Sequence, residues 1–240
     1  MAGHNKWSKI KRDKGANDAK RGAVFTRIGN QIAVAAKAGT DPTMNPALAV
    51  AIEKARQANM PKDNIQRSID RVSDKNAAQL EETVYEGYGP GGVGIIIEGA
   101  TDNKNRTLPE VKNALVKNGG RLADAGSVMF QFERKGVIRI KADMSDSETV
   151  LMTILDAGAE DAVEEDDEII VYTDQKELMK VRKTLVDADI TIEDAELQYI
   201  ANAPVQVNDQ ETADKVLKVL NALDELDDVV SVHTNADILV

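Results

Sequence analysis

The sequence contains no cysteine, only two histidines and only eight aromatic residues, one Trp, four Tyr and three Phe, in 240 positions. Without cysteine there is no disulfide, no thiol nucleophile and no thiolate metal site, which removes zinc fingers and iron–sulfur clusters and suits a reducing compartment. His4 and His233 stand at opposite ends of the chain in no H-x-x-x-H or H-E-x-x-H spacing. A histidine metal site therefore has no support, and a Ser-His-Asp arrangement has no defined partners. His233 is expected on the surface at a strand end. No apolar run approaches the roughly 20 residues that cross a bilayer, and the charged stretch Met1 to Lys9 leads into no apolar segment. The expectation is a cytoplasmic protein without membrane contact. So few rings imply an aliphatic core, divided into several small ones rather than one large one.

Charge is abundant and unevenly placed. Residues 1–75 hold 15 Lys and Arg against 7 Asp and Glu, a balance of +8, whereas residues 76–240 hold 15 against 34, a balance of −19. This asymmetry points to a polyanion-binding part carried by an acidic body. The cations are densest at Lys6, Lys9, Lys11, Arg12, Lys14, Lys20, Arg21 and Arg27, with Trp7 among them as a ring able to stack on a base or anchor the segment.

Periodicity predicts three helices in this part: 18–38 carrying Val24, Ile28, Ile32 and Ala35, a second from Pro46 to about Asn59, and a third opened by Pro61. The third carries Ile65, Ile69 and Val72 inward and leaves Arg67 and Arg71 together on an outer face. Residues 73–82 read as a linker. Beyond it the pattern alternates between strand and helix: strand 93–97, helix 109–118, strand 128–132, then strand 137–141, helix 147–157, strands 159–163 and 169–172, helix 175–187 and strand 190–199. A strand near Val205, a helix 209–223 and a strand 229–233 complete it. The expected fold class is α+β and multidomain: an N-terminal helical bundle, residues 1–78, followed by two ferredoxin-like βαββαβ domains. One is discontinuous, 79–134 plus 201–240, and the other, acidic and contiguous, is inserted at 135–200.

The stretch Gly87 to Gly94 carries G-x-G-x-x-G twice. A dinucleotide loop must follow a strand and open a helix, whereas here a strand follows, so a tight turn is the better reading. No phosphate-binding G-x-x-x-x-G-K-[ST] occurs. The acidic run Glu160 to Glu168 lacks the spacing of a calcium loop and reads as a solvated hairpin. Val128, Phe130 and Phe132 alternate as on one strand face, and core packing of both rings is expected because the basic pattern of an RNA-binding sheet is missing.

Several segments together resemble the YebC family: Met1-Ala2-Gly3-His4-Asn5-Lys6-Trp7-Ser8-Lys9-Ile10-Lys11, Asp18-Ala19-Lys20-Arg21-Gly22, Phe25-Thr26, Ile52 to Arg56, Asn59-Met60-Pro61, Tyr85 to Gly92, Asp102 to Thr107 and Gly126-Ser127-Val128. The similarity spans essentially the whole chain. It departs at Gly119-Gly120-Arg121-Leu122-Ala123, where relatives commonly read G-G-N-L-G, and at Asn5, where Ser is frequent. The resemblance implies an N-terminal helical domain with two α/β domains, and a cytoplasmic nucleic-acid-binding protein of the kind labelled probable transcriptional regulators. It also implies that some members act at the ribosome as translational activators, helping through stretches such as consecutive prolines.

The expected function is a non-enzymatic regulator of gene expression that binds DNA through its basic N-terminal domain. The expected contacts are Lys6, Trp7, Lys9, Lys11, Arg12, Lys14, Lys20, Arg21, Arg27, Arg67 and Arg71, with no catalytic residue, metal or small-molecule cofactor. A ribosome-associated factor binding ribosomal RNA is the alternative. A protein-interaction or small-molecule-sensing module stands further off.

Overall fold

The computed structural model describes residues 21–72, 80–141, 147–165 and 168–240. Helix α1 (Arg21–Ala36) buries Ile28, Ile32 and Ala36 at four-residue spacing, so one face meets α2 (Pro46–Gln57) and α3 (Lys62–Asp70). Asn45 joins the first two helices. Its Oδ1 accepts from the Leu48 amide at 3.1 Å, capping α2, while its Nδ2 donates to the Ala35 and Gly39 carbonyls at 2.8 and 2.7 Å. Asn59 then ends α2 in the left-handed region, φ 57°, and the Met60 amide reaches back to the Ala55 carbonyl at 2.9 Å. Met60 is thereby turned into the helical core, and Pro61 starts α3 in a new direction.

Two compact units divide the chain: the first ends at Glu133 and resumes at Ile200, and the second is Arg134–Tyr199. Each mixes helices with antiparallel strands. In the first unit, β1 (Glu81–Tyr88) turns into β2 (Gly94–Thr101), followed by α4 (Lys104–Lys117) and β3 (Arg121–Ala123). The second carries β4 (Phe132–Lys141), α5 (Ser147–Asp156), β5 (Asp161–Glu165), β6 (Glu168–Asp174), α6 (Leu178–Asp187) and β7 (Ile192–Ala201), its first and last strands in chain order crossing the boundary. The chain then closes the first unit with β8 (Val205–Val207), α7 (Gln210–Asp224), β9 (Val229–Thr234) and β10 (Ala236–Ile238).

The second unit's sheet runs β5-β6-β4-β7, the order a βαββαβ chain gives when each helix returns the strand across one neighbour. Its core is Ile138, Ile140, Ile154, Ile169, Val171, Val181 and Leu185. The first unit's sheet runs β3-β1-β2-β9. Here the βαββαβ expectation is corrected. The strand between the two joined by α4 is β1, which precedes them in the chain, rather than a strand entering α7. The segment before α7 is β8, which leaves this sheet and pairs in parallel with β10. Tyr85, Ile95, Ile97, Val232 and the inner faces of α4 and α7 form the core on one side of the sheet.

The Gly-rich stretch is the tight turn expected of it, and two other local expectations change. The Gly-rich turn is a β1–β2 hairpin connection, with Gly91 and Gly92 at φ 73° and 77° and the Gly89 amide bonded to the Val93 carbonyl at 2.8 Å. Helix α4 starts five residues before Pro109, because the Asn103 side chain accepts from the amides of Asn105 and Arg106 and caps it there. Val128 to Phe132 is no strand. Met129–Gln131 is a 3-10 turn, so the alternation breaks: Val128 and Phe132 are buried, but Phe130 is 73% exposed.

Candidate nucleic-acid interface

Of the expected contact residues, Lys6, Trp7, Lys9, Lys11, Arg12, Lys14 and Lys20 lie outside the described residues, and Arg21 is the first residue of α1. Arg27, two turns further on, is held inside the first unit. Its guanidinium pairs with the Asp224 carboxylate at 3.1 Å and also donates to the Asp224 backbone carbonyl. Asp224 is the last residue of α7, so the cation meets both a carboxylate and the negative end of a helix. This geometry joins the helical part to the sheet, since α1 lies against β2 and β9.

Arg67 and Arg71, four residues apart, do not share an outer face. Arg67 is exposed, its Nε donating to the Asp63 carbonyl at 3.3 Å and a terminal nitrogen to Asn64 Oδ1 at 2.8 Å. Arg71 follows the last turn of α3 and folds back toward α1, donating to Oδ1 of the buried Asn30 at 3.4 Å. Among the described residues, three exposed cations flank the point where α2 hands over to α3. Arg56, 68% exposed beside Glu53, precedes the Asn59 turn, and Lys62 and Arg67 follow it. Arg56 was not among the expected contacts. It is a cation in the last turn of α2, on a helix that buries Ile52 and Ala55.

Two buried carboxylates organise the rest of the first unit. Glu86, on β1, accepts from the backbone amides of Gly126, Val128 and Met129 at 2.5, 2.6 and 2.8 Å. Burial alone would raise its pKa, but those three amides outweigh it and hold the carboxyl below its ordinary value. Asp228 accepts from Thr107 Oγ1 at 2.6 Å, Thr101 Oγ1 at 3.0 Å and Arg106 at 2.8 Å. Its pKa is likewise lowered, burial being overcome by the Thr107, Arg106 and Thr101 hydrogen bonds. The segments Tyr85–Gly92, Asp102–Thr107 and Gly126–Val128 are thus parts of two locks that fix loops to the sheet. His233 is buried rather than superficial, its Nε2 3.0 Å from Glu98 Oε2. Among the described residues no group of three or more metal-ligating side chains converges, and no helix is long and apolar enough to cross a membrane.

Fold and surface therefore define a mixed α/β protein with a helical basic part, two antiparallel sheets and buried carboxylates that serve as loop anchors. Comparison with known proteins makes this specific. Residues 5–75 match the TACO1/YebC protein N-terminal domain and residues 80–236 the TACO1/YebC second and third domain, so the chain belongs to the TACO1/YebC family. It is 49% identical over 238 residues to a probable transcriptional regulatory protein of Persephonella marina, covering 98% of this chain and 95% of that one. A protein of the same name from Finegoldia magna is 46% identical over 239 residues, 99% of each chain. The solved structure of a conserved hypothetical protein from Aquifex aeolicus, Aq1575, superposes with a TM-score of 0.85 at 43% identity, covering 92% of both chains.

Proposed function

We propose that this protein is a non-enzymatic, cytoplasmic regulator of gene expression that holds the phosphate backbone of a nucleic acid with its basic N-terminal part. The observation that carries this reading is the charge division, +8 over residues 1–75 against −19 over the remainder. A three-part organisation accords with it: residues 1–78 grip, and two α/β bodies, 79–134 with 201–240 and the ferredoxin-like 135–200, orient the molecule and keep phosphate off the acidic surface. The exposed cations Arg56, Lys62 and Arg67 at the α2–α3 corner support a basic grip in this part of the chain. The names of the relatives, probable transcriptional regulatory proteins, favour duplex DNA as the first target to test.

Backbone contacts of this kind release counterions on binding. With about five phosphates neutralised, log affinity for duplex DNA falls against log salt with a slope of about −4 to −5. Replacing Lys6, Lys9, Lys11, Arg12 and Lys14 together by glutamine flattens most of that slope and leaves the share of the helical-part cations, read by fluorescence anisotropy at several salt concentrations. A wild-type affinity independent of salt contradicts the reading. Ribosomal RNA is the second target, favoured by the exposed Phe130.

A further inference from the structure

The outer face of the first unit's sheet carries side chains outside the basic grip, some of which fix a loop while Arg121 and Phe130 stay exposed. The core occupies the face of Tyr85, Ile95 and Ile97. Glu86, Tyr88, Arg121 and Ala123 project from the other face, because Glu86 pairs with Ala123 and Tyr88 with Arg121 directly across β1 and β3. The Arg121 guanidinium lies over the Tyr88 ring, 4.4 Å from its centroid, and the Tyr88 hydroxyl donates to the Ser127 carbonyl at 2.8 Å.

The loop 124–131 is laid on this face and held at both ends. Glu86 takes the amides of Gly126, Val128 and Met129, and Val128 is fully buried. Beyond Phe130, Gln131 accepts from the Asn235 side chain at 2.7 Å through Oε1 and from the Asn202 amide at 2.8 Å through its carbonyl. Between these anchors Phe130 is turned outward, 73% exposed. An exposed ring on a mobile loop is unremarkable, but one standing on a turn fixed by five hydrogen bonds has its ordering entropy already spent and offers a rigid stacking plane. Phe130 is three residues from Ser127, so its Cα lies within about 11 Å of the residue that carries the Tyr88 contact. Residues 117–131 hold two cations, Lys117 and Arg121, against one carboxylate, Asp124, inside a body whose balance is otherwise strongly negative.

We propose that Phe130 is a stacking platform for an unpaired RNA base, with Arg121, steadied on Tyr88, binding the adjoining phosphate. A duplex keeps its bases stacked internally and presents none to a lone ring on a sheet, whereas single-stranded loops do. A positively charged rim beside an aromatic plane is the combination that single strands recognise. The inference rests on the nucleic-acid reading above and specifies the second contact and its ligand class.

The test uses the full chain, a 12-nucleotide single-stranded RNA carrying one 2-aminopurine, and a duplex RNA of equal length. Phe130→Ala lowers single-strand affinity by about 5- to 100-fold and abolishes the 2-aminopurine quenching that stacking produces, while duplex affinity and the salt slope stay as in the wild type. Phe130→Trp restores both readouts and Phe130→Leu restores neither. Arg121→Ala reduces the salt slope by about one. Thermal melting of each variant, unchanged for an exposed side chain, shows that the loss is not one of folding. Unaltered single-strand binding by Phe130→Ala overturns the inference, and so does an equal loss on duplex. If the glutamine variants of the N-terminal cations still weaken binding in that case, the proposed function stands without it; if they do not, both fall. A variant that loses ribosome co-sedimentation but binds the free oligonucleotide normally makes Phe130 a protein contact, and the inference is then wrong.

Discussion

Glu86 and Asp228 show how a single carboxylate comes to hold a fold. Each sits where burial disfavours its charge, and each stays ionised because donors are aimed at it: three backbone amides for Glu86, two hydroxyls and a guanidinium for Asp228. Both folded-state pKa values therefore lie below the unfolded values of about 4.3 and 3.9. Their contribution to stability is complete above those unfolded values and is lost as pH falls through the lower folded ones. The double variant Glu86→Gln, Asp228→Asn is accordingly less stable than wild type at pH 7, by about 2–5 kcal/mol, and the gap narrows as pH drops from about 5 to 3. Urea midpoints across that range check it; a constant gap would mean that the two groups hold no extra charge-linked stability. Neither lock was legible beforehand. A sequence displays Glu86 and Gly126 forty positions apart and gives no sign that a carboxylate on one strand will gather the amides of a distant loop.

At the level of elements, what could be read was what repeats locally. Ile28, Ile32 and Ala36 announce a helix by spacing alone, as do Val216, Val219, Leu220 and Leu223. The errors fall where tertiary contacts override local pattern. Val128-x-Phe130-x-Phe132 has the alternation of a strand, but the Glu86 carboxylate draws the loop amides of Gly126, Val128 and Met129 inward and curls the chain, so Phe130 faces out. Strand β1 escapes the local pattern because Gly87 dilutes it and two glutamates open it, although Thr83, Val84 and Tyr85 favour extended structure. The pairing of Arg27 was hidden for a related reason: its place in a cationic run is visible, while Asp224, 197 residues away, is not. That pair gives an element-scale prediction. Arg27→Gln detaches α1 from the end of α7 and costs about 1–2 kcal/mol; Asp224→Asn costs less, since the backbone carbonyl still accepts. Neither changes the salt slope of nucleic-acid binding, whereas Arg67→Gln reduces it by about one. A slope altered by Arg27→Gln would return Arg27 to the interface.

At the scale of the whole molecule, the spatial order of strands could not be read from their order in the chain. Both sheets place a strand between two that a helix connects, but the second unit supplies it afterwards, as β6, and the first beforehand, as β1. The distribution of charge, by contrast, was plain, and it supports a prediction that needs no side-chain detail. The continuous unit Arg134–Tyr199 holds 8 Lys and Arg against 18 Asp and Glu, a balance of −10. Its ends lie close together, since β4 and β7 are neighbours and the Arg134 guanidinium sits 5.6 Å from the centroid of the Tyr199 ring. A short Gly-Ser linker can therefore replace it while leaving the first unit's own core, around Ile95, Leu115 and Leu220, intact. Removing ten negative charges removes long-range repulsion of a polyanion, and such repulsion acts over a Debye length of about 10 Å at 0.1 M salt and about 3 Å at 1 M. The excised protein binds nucleic acid several-fold more tightly than the full chain at about 50 mM salt, and the two converge as salt rises. If instead the acidic unit contributes contacts of its own, excision weakens binding and the difference persists at high salt, where screening has silenced repulsion but not hydrogen bonds or packing.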